Sequence, residues 1–160
     1  VDKPVLNVFR MFGLMPSTRV EVAGKNLTAD EIIEKGVRGE NDIYGIASRN
    51  DRSVAVLLWN YHDDEIPKAA SDVELVLKNI PAKKVNVHHY RIDESHSNSY
   101  EAWKKMGSPQ KVNDEQYKAL EIAGQLQLIS SPTWQAVDHG TAILNFSLPL
   151  QGVSLVKLEW

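Results

Sequence analysis

The chain has 160 residues, 42% hydrophobic and 24% charged, the balance of a water-soluble globular domain of ordinary size. A net charge of −3, from 18 basic and 21 acidic residues, with no run of five like charges, argues against a nucleic-acid binder. Cysteine is absent, which excludes disulfides, Cys-based zinc sites and thiol nucleophiles, and no apolar run is long enough to span a membrane.

Val5, Val8, Phe9 and Phe12 recur at helical spacing, Met15 extends the pattern and Pro16 stops it. The chain opens on this helix at Val1 rather than Met, with no signal-peptide pattern, as a piece cut from a longer protein would. A short apolar helix has no obvious surface of its own to pack on. Residues 1–16 are therefore expected to close a preceding domain, rather than to form a peripheral helix of this one. Arg19 to Val22 reads as a short strand, and Thr28 with Glu31 three residues on forms a capping box that starts a brief helix. Ile43–Ser48 and Val54–Trp59 follow as strands. The second is continuously apolar, as a central strand buried on both faces would be. Val73, Leu75 and Leu77 alternate with polar neighbours, which marks a strand with one wet face. Val85 to Ile92 is a further strand, rich in β-branched and aromatic residues.

A helical insertion is expected at about 98–124. Asn98 with Glu101 caps a helix through Trp103 and Met106, which Gly107-Ser108-Pro109 ends. Asn113 with Gln116 caps a second, carrying Tyr117, Leu120 and Ala123 up to Gly124. Leu126–Ile129 suits a sheet edge. Ala142, Leu144, Phe146 and Leu148 share one face of a strand, and Val153–Trp160 is the last one. The total of about seven to nine short strands, without strand–helix alternation, predicts a mainly β, antiparallel β-sandwich over residues 17–160.

The residues that suggest chemistry mostly have plainer explanations. His62, His88, His89 and His96 invite a metal, yet His88 and His89 are strand neighbours facing opposite ways, and no His-Glu-x-x-His pattern occurs. Hydrogen-bonded polar histidines are the better reading, and no metal is expected. Asp93, Ser95 and His96 supply the residue types of a hydrolase triad, without a nucleophile elbow. A capped turn is favoured, with Asp93, Ser97 and Asn98 bonding local amides. No phosphate loop or dinucleotide fingerprint is present, so no cofactor is expected. Asp63-Asp64-Glu65 follow Trp59-Asn60-Tyr61-His62 at a strand end. Three consecutive acids suit a solvated loop tip, and Trp59, Tyr61 and His62 beside them are suited to stack on or bond a sugar. Trp103, Trp134 and Trp160 would serve either as core or as a carbohydrate platform. The two glycosylation sequons, at Asn26 and Asn145, carry no weight.

Several stretches together resemble the C-terminal part of family 39 glycoside hydrolases, which include bacterial β-xylosidases and animal α-L-iduronidases. The strongest is His89-Tyr90-Arg91-Ile92-Asp93, followed by His96-Ser97-Asn98-Ser99-Tyr100, Trp103 and Met106-Gly107-Ser108-Pro109-Gln110. The others are Leu148-Pro149-Leu150-Gln151-Gly152-Val153-Ser154-Leu155, the segment Val54–Asp64, and Lys3-Pro4-Val5-Leu6-Asn7-Val8-Phe9-Arg10-Met11-Phe12. The last resembles the closing helix of the family's barrel. The resemblance implies a (β/α)8 barrel followed by a β-sandwich, with a glutamate acid/base and a glutamate nucleophile, both on the barrel, in a retaining mechanism. A barrel needs about 250 residues, so only its last helix fits in this chain. Family acid/base glutamates follow an asparagine, and no Asn-Glu dipeptide occurs. No catalytic residue is therefore assigned.

The resemblance thus implies a non-catalytic sandwich that supports the barrel and lends the loop carrying Trp59, Tyr61, His62, Asp63 and Asp64 to the active-site mouth or a subunit interface. Arg91, Asp93, His96, Asn98, Tyr100 and Trp103 would be structural. The expected partners are the barrel, a second copy in a homo-oligomer, and the xylo-oligosaccharide substrate of the whole enzyme. An autonomous carbohydrate-binding module with Trp59, Tyr61 and Trp134 as its platform is the alternative. Bacterial cytoplasm, periplasm and the exterior all fit.

Overall fold

In the computed structural model, which describes residues 1–67 and 69–160, the continuously apolar segment becomes β3 (Ser53–Tyr61), a central strand. It pairs antiparallel with β2 (Asp42–Arg49) on one side and β9 (Val153–Glu159) on the other. The short strand β1 (Thr18–Val20) edges β2, and β5 (Lys84–Ile92) lies on the far side of β9. Two short strands, β6 (Gln127–Leu128) and β7 (Thr133–Ala136), share the outer edge of β5. The second sheet is an antiparallel pair, β4 (Ser71–Leu77) and β8 (Ala142–Leu148).

The large sheet is buried on both faces, which explains the lack of polar alternation in β3. Val56 and Leu58 point to the two-stranded sheet and pack with Val85, Val156, Leu158, Leu77 and Leu148. Ala55 and Leu57 point the other way, to Met11, Ile92 and Leu155. In β4 and β8 burial alternates, although the outer face carries one exposed apolar pair, Val76 opposite Ile143. Val73, Leu75 and Leu77 stand opposite Phe146, Leu144 and Ala142 on the core side. Asp72 and Glu74 stand opposite Ser147 and Asn145 on the outer one.

Four helices complete the described residues: α1 (Pro4–Leu14), α2 (Ala29–Lys35), α3 (Ser99–Lys105) and α4 (Asp114–Ala123). The capping boxes form as the sequence predicts. Thr28 and Glu31 exchange side-chain-to-backbone bonds at α2, and Asn113 and Gln116 do so at α4. Asn98 caps α3 by accepting from the Glu101 amide. β7 was not expected, because a four-residue edge strand with largely exposed side chains leaves no hydrophobic pattern.

α1 lies against the large sheet and splits the apolar stripe read from its sequence. Met11 is fully buried, and Val8 and Leu14 pack beside it. Val5, Leu6, Phe9 and Phe12 are exposed, Phe9 at 67%. The docked side also carries a polar residue, Asn7, with no exposure at all. Asn7 Nδ2 donates to the carbonyls of Ser97 and Gly124, each at 2.9 Å, and its Oδ1 accepts from Arg10 at 2.8 Å. Arg10 also pairs with Asp2 at 2.6 Å, and Ser99 Oγ donates to the Asp2 carbonyl. Gly124 has right-handed helical geometry, so it is not needed for a left-handed cap. It is needed for proximity: a Cβ there would come to 2.9 Å from the Asp2 carbonyl oxygen. The insertion and α1 are thus joined by hydrogen bonds to backbone carbonyls, which fixes α1 in one orientation.

Candidate functional site

β3, β9 and β5 reach the same end of the sheet, since Trp59 stands opposite Val153 and Val153 opposite Ile92. The chain leaves this end in the loop after Tyr61 and in the loop from Asp93 to Asn98. The residues singled out in the sequence collect here in two groups.

The first group is a buried polar relay. His89 and Arg91 lie on the core-facing side of β5, where each is less than a tenth exposed. Both meet Ser154 of β9, which is fully buried: Arg91 Nε donates to Ser154 Oγ at 2.8 Å, and His89 Nε2 lies 2.9 Å from the same oxygen. The hydroxyl therefore accepts from Arg91 and gives its proton to His89, whose Nε2 is the bare nitrogen of a neutral ring. Burial pushes the His89 pKa down to about 4, and the Arg91 charge acts in the same direction. Arg91 also donates to the Ser147 carbonyl at 3.0 Å and faces Asp93 Oδ2 at 3.5 Å. The other Asp93 oxygen accepts from the Ser95 and His96 amides and from His96 Nδ1, at 2.7, 2.9 and 2.9 Å. Burial alone would raise the Asp93 carboxyl, but these bonds outweigh it and hold the group below the usual carboxylate range.

Asp93 and Asn98 act on local amides as a capped turn requires. Ser97 does not: its hydroxyl donates to the Arg91 carbonyl and accepts from the Gln127 amide, joining the turn to β6. Among the described residues no serine hydroxyl bonds His96, and none supplies three or more metal-ligating side chains at one place. The arrangement is suited to rigidity rather than to nucleophilic chemistry. Sequence reading missed Ser154 and Asn7. For Ser154 a signal existed: His89 and Arg91 fall at alternate positions of one strand, so one face of a core strand carries two polar groups that need partners.

The second group is the loop after β3. Trp59 is half-buried and meets Tyr44 edge-on, ring centres 6.2 Å apart. His62 is buried, with Nδ1 accepting from the Asp64 amide at 3.0 Å and its carbonyl accepting from Gln151. Asp63 Oδ2 accepts from the Val37 amide at 3.1 Å, while the Asp63 amide donates to the Val37 carbonyl at 2.8 Å. Gly36, at φ +68°, leaves room for that carboxylate. Asp63 and the Nδ1 edge of His62 are thus spent on folding the loop, while the buried Nε2 of His62 has no hydrogen-bond partner among the described residues. Tyr61 stays 45% exposed, its hydroxyl held above its ordinary pKa by the Asp63 carboxylate. Asp64 and Glu65 are exposed. The loop lies near α3, where Tyr100 stacks on Trp103 at 5.7 Å and Lys104 sits over the Tyr100 ring. Glu101 bonds Lys104 and holds it above the usual lysine range, with a smaller contribution from Glu65. Trp134 lies far away, opposite Asn86 at the other end of β5, with Lys84 over its ring. The three aromatics read as one platform are not brought together.

The family model for glycosyl hydrolases family 39 matches residues 1–137, which include α1, the loop after β3 and the whole 89–110 stretch. The chain belongs to this family. It is 25% identical over 162 residues to a β-xylosidase of Caldicellulosiruptor saccharolyticus, covering 99% of this chain and 30% of that protein's length. Among solved structures it is similar to a monomeric β-xylosidase from Caulobacter crescentus CB15, with TM-score 0.68, 16% identity, and 94% of this chain and 29% of that chain covered. The family 39 enzyme of Xanthomonas axonopodis pv. citri gives TM-score 0.65 and 16% identity over 77% of this chain and 28% of that one. At these identities the structural matches speak for the fold: a family 39 β-sandwich. The chain spans less than a third of the relatives it matches.

Proposed function

We propose that this chain is the non-catalytic C-terminal β-sandwich of a retaining glycoside hydrolase resembling β-xylosidases, whose longer polypeptide cleaves terminal β-xylosides on a (β/α)8 barrel. The observation that carries the reading is the two-sidedness of α1. Asn7 and Met11 anchor it to the sandwich, while Val5, Leu6, Phe9 and Phe12 present an apolar strip outward. A helix fixed this firmly, with its larger apolar residues in water, is suited to a second packed body. In this account residues 1–16 close the barrel and the sandwich braces it. The loop carrying Tyr61 and Asp64 borders the active-site mouth or a neighbouring subunit. Two carboxylates singled out in the sequence are already engaged: Asp63 bonds the Val37 amide, and Asp93 is held by His96 and Arg91.

Hydrolysis of an aryl β-xyloside tests this reading, measured on the isolated chain and on the full-length polypeptide. An inactive chain beside an active full-length protein is expected. Turnover by the isolated chain would overturn the non-catalytic role, and an inactive full-length protein would overturn the xyloside assignment. Binding of xylo-oligosaccharide by the isolated chain would favour the carbohydrate-binding module instead.

A further inference from the structure

The helical insertion leaves the sheets after Ser97 and returns at Gly124, the residues that flank its two helices. α3 and α4 pack on each other, and neither core cluster of the sandwich contains a residue of either helix. The insertion is therefore held at its roots, and both roots end on one group. The two hydrogens of Asn7 Nδ2 go to the Ser97 carbonyl before α3 and to the Gly124 carbonyl after α4. Arg10 donates to Asn7 Oδ1, which turns the amide so that its nitrogen faces the two carbonyls. The Asp2 carbonyl, just before α1, accepts from Ser99 at the first root. The body of the insertion stands beside the loop after β3, with Tyr100 of α3 55% exposed and Lys104 near enough to Glu65 to feel its charge.

We infer that Asn7 is a positioning residue for the substrate: by clamping both roots of the insertion it sets where α3, with its exposed Tyr100, stands at the rim beside the loop of Tyr61. This rests on the reading under Proposed function, in which that loop borders the active-site mouth. Tyr61 and Tyr100 sit on separate supports, so a sugar or its leaving group meets both only if the supports keep their spacing. Rim contacts lie away from the bond that breaks. They bind substrate and transition state alike, and so act on KM rather than kcat. In the full-length polypeptide α1 is packed on both sides in this account. Losing the Asn7 amide there frees the insertion rather than the helix.

The test uses the full-length polypeptide with Asn7→Leu. Val85→Ala is the control, a fully buried side chain lost at the far end of β5. Hydrolysis of an aryl β-xyloside is measured well below the melting temperature of either variant. Asn7→Leu should raise KM about three- to tenfold, the span of one or two lost contacts, with kcat unchanged. Val85→Ala should change neither. Hydrogen exchange should rise across α3 and α4 in Asn7→Leu and not in Val85→Ala. Should Asn7→Leu not fold, Ser99→Ala removes the Asp2 tie alone and should move KM and exchange the same way by less. Unchanged exchange in the insertion would overturn the clamp. A loosened insertion with unchanged KM, a fall in kcat alone, or an equal rise in KM from Val85→Ala would overturn the positioning role. An inactive wild-type protein would sink the xyloside reading, and the exchange comparison would still decide the clamp.

Discussion

Asn7 Nδ2 lies 2.9 Å from the carbonyl oxygen of Gly124, across 117 residues of chain. This one bond ties the first helix to the end of the last, and its partner to Ser97 ties it to the turn after β5. Replacing Asn7 with Leu strips the buried Ser97 carbonyl of the Asn7 donor and leaves the Gly124 carbonyl only a long 3.5 Å bond from Arg10, a loss of about 1–3 kcal/mol by the usual cost of such groups. Chemical denaturation of Asn7→Leu should show it. Hydrogen exchange should rise first in α1, because its anchoring would then fall to Met11 and its neighbours. An unchanged midpoint would mean that the bonds contribute nothing net.

Gly124→Ala acts on the same contact from the other side. The added methyl would stand 2.9 Å from the Asp2 carbonyl, and backbone cannot swing away as a side-chain tip can. In right-handed helical geometry alanine is ordinarily more stable than glycine, so an unobstructed site would gain stability. A drop in melting temperature is expected here, and a rise would show that Asp2 is free to move.

Ser154 is the hinge of the buried relay, accepting from Arg91 and serving His89. Ser154→Ala strips a partner from a buried guanidinium and a buried imidazole together. The expected loss is about 2–4 kcal/mol, above that of a single neutral bond because one donor is charged. Ser154→Thr, which keeps the hydroxyl, should recover part of it. Equal denaturation midpoints for alanine and wild type would remove the relay from the list of stabilising features.

The same relay sets the acid limit. His89 has its pKa lowered to about 4 from 6.5, so the unfolded chain takes up its proton first. That stability is fully present above about pH 6.5 and is lost progressively as pH falls toward 4, amounting to roughly 3 kcal/mol. Asp93, held below its usual range, adds a further loss at lower pH still, when its carboxylate is protonated. Melting temperature against pH should therefore fall between pH 6.5 and 4, and His89→Gln should flatten that fall. A wild-type profile already flat over this window would contradict the buried, neutral His89.

Much of this architecture was legible in the sequence, for identifiable reasons. Thr28 with Glu31 and Asn113 with Gln116 are local devices, and local devices survive folding. The uninterrupted run in β3 announced two buried faces, and Met11 and Leu148 lie on opposite sides of it. What stayed hidden depends on distant partners. Asn7 is a polar residue on an otherwise apolar helix, and only the carbonyls of Ser97 and Gly124 explain its burial. Asp63 has the residue type of a ligand-binding acid, and only the distant Val37 amide shows that its carboxylate is occupied. The free edge of β4 has no sequence signature, because Ser71–Leu77 alternates in the same way whether it has one neighbour or two.

The central claim is that α1 braces a second body through its outward residues. Phe9→Glu with Phe12→Glu tests it, with thermal unfolding followed on the isolated chain and on the full-length polypeptide. Phe9 and Phe12 are exposed here, so the isolated chain should melt as before and aggregate less. The full-length protein should lose several degrees and part of the xyloside hydrolysis proposed for it, because two charges would be forced into an apolar contact. An unchanged full-length protein would contradict the account, since those side chains would then face water there as well.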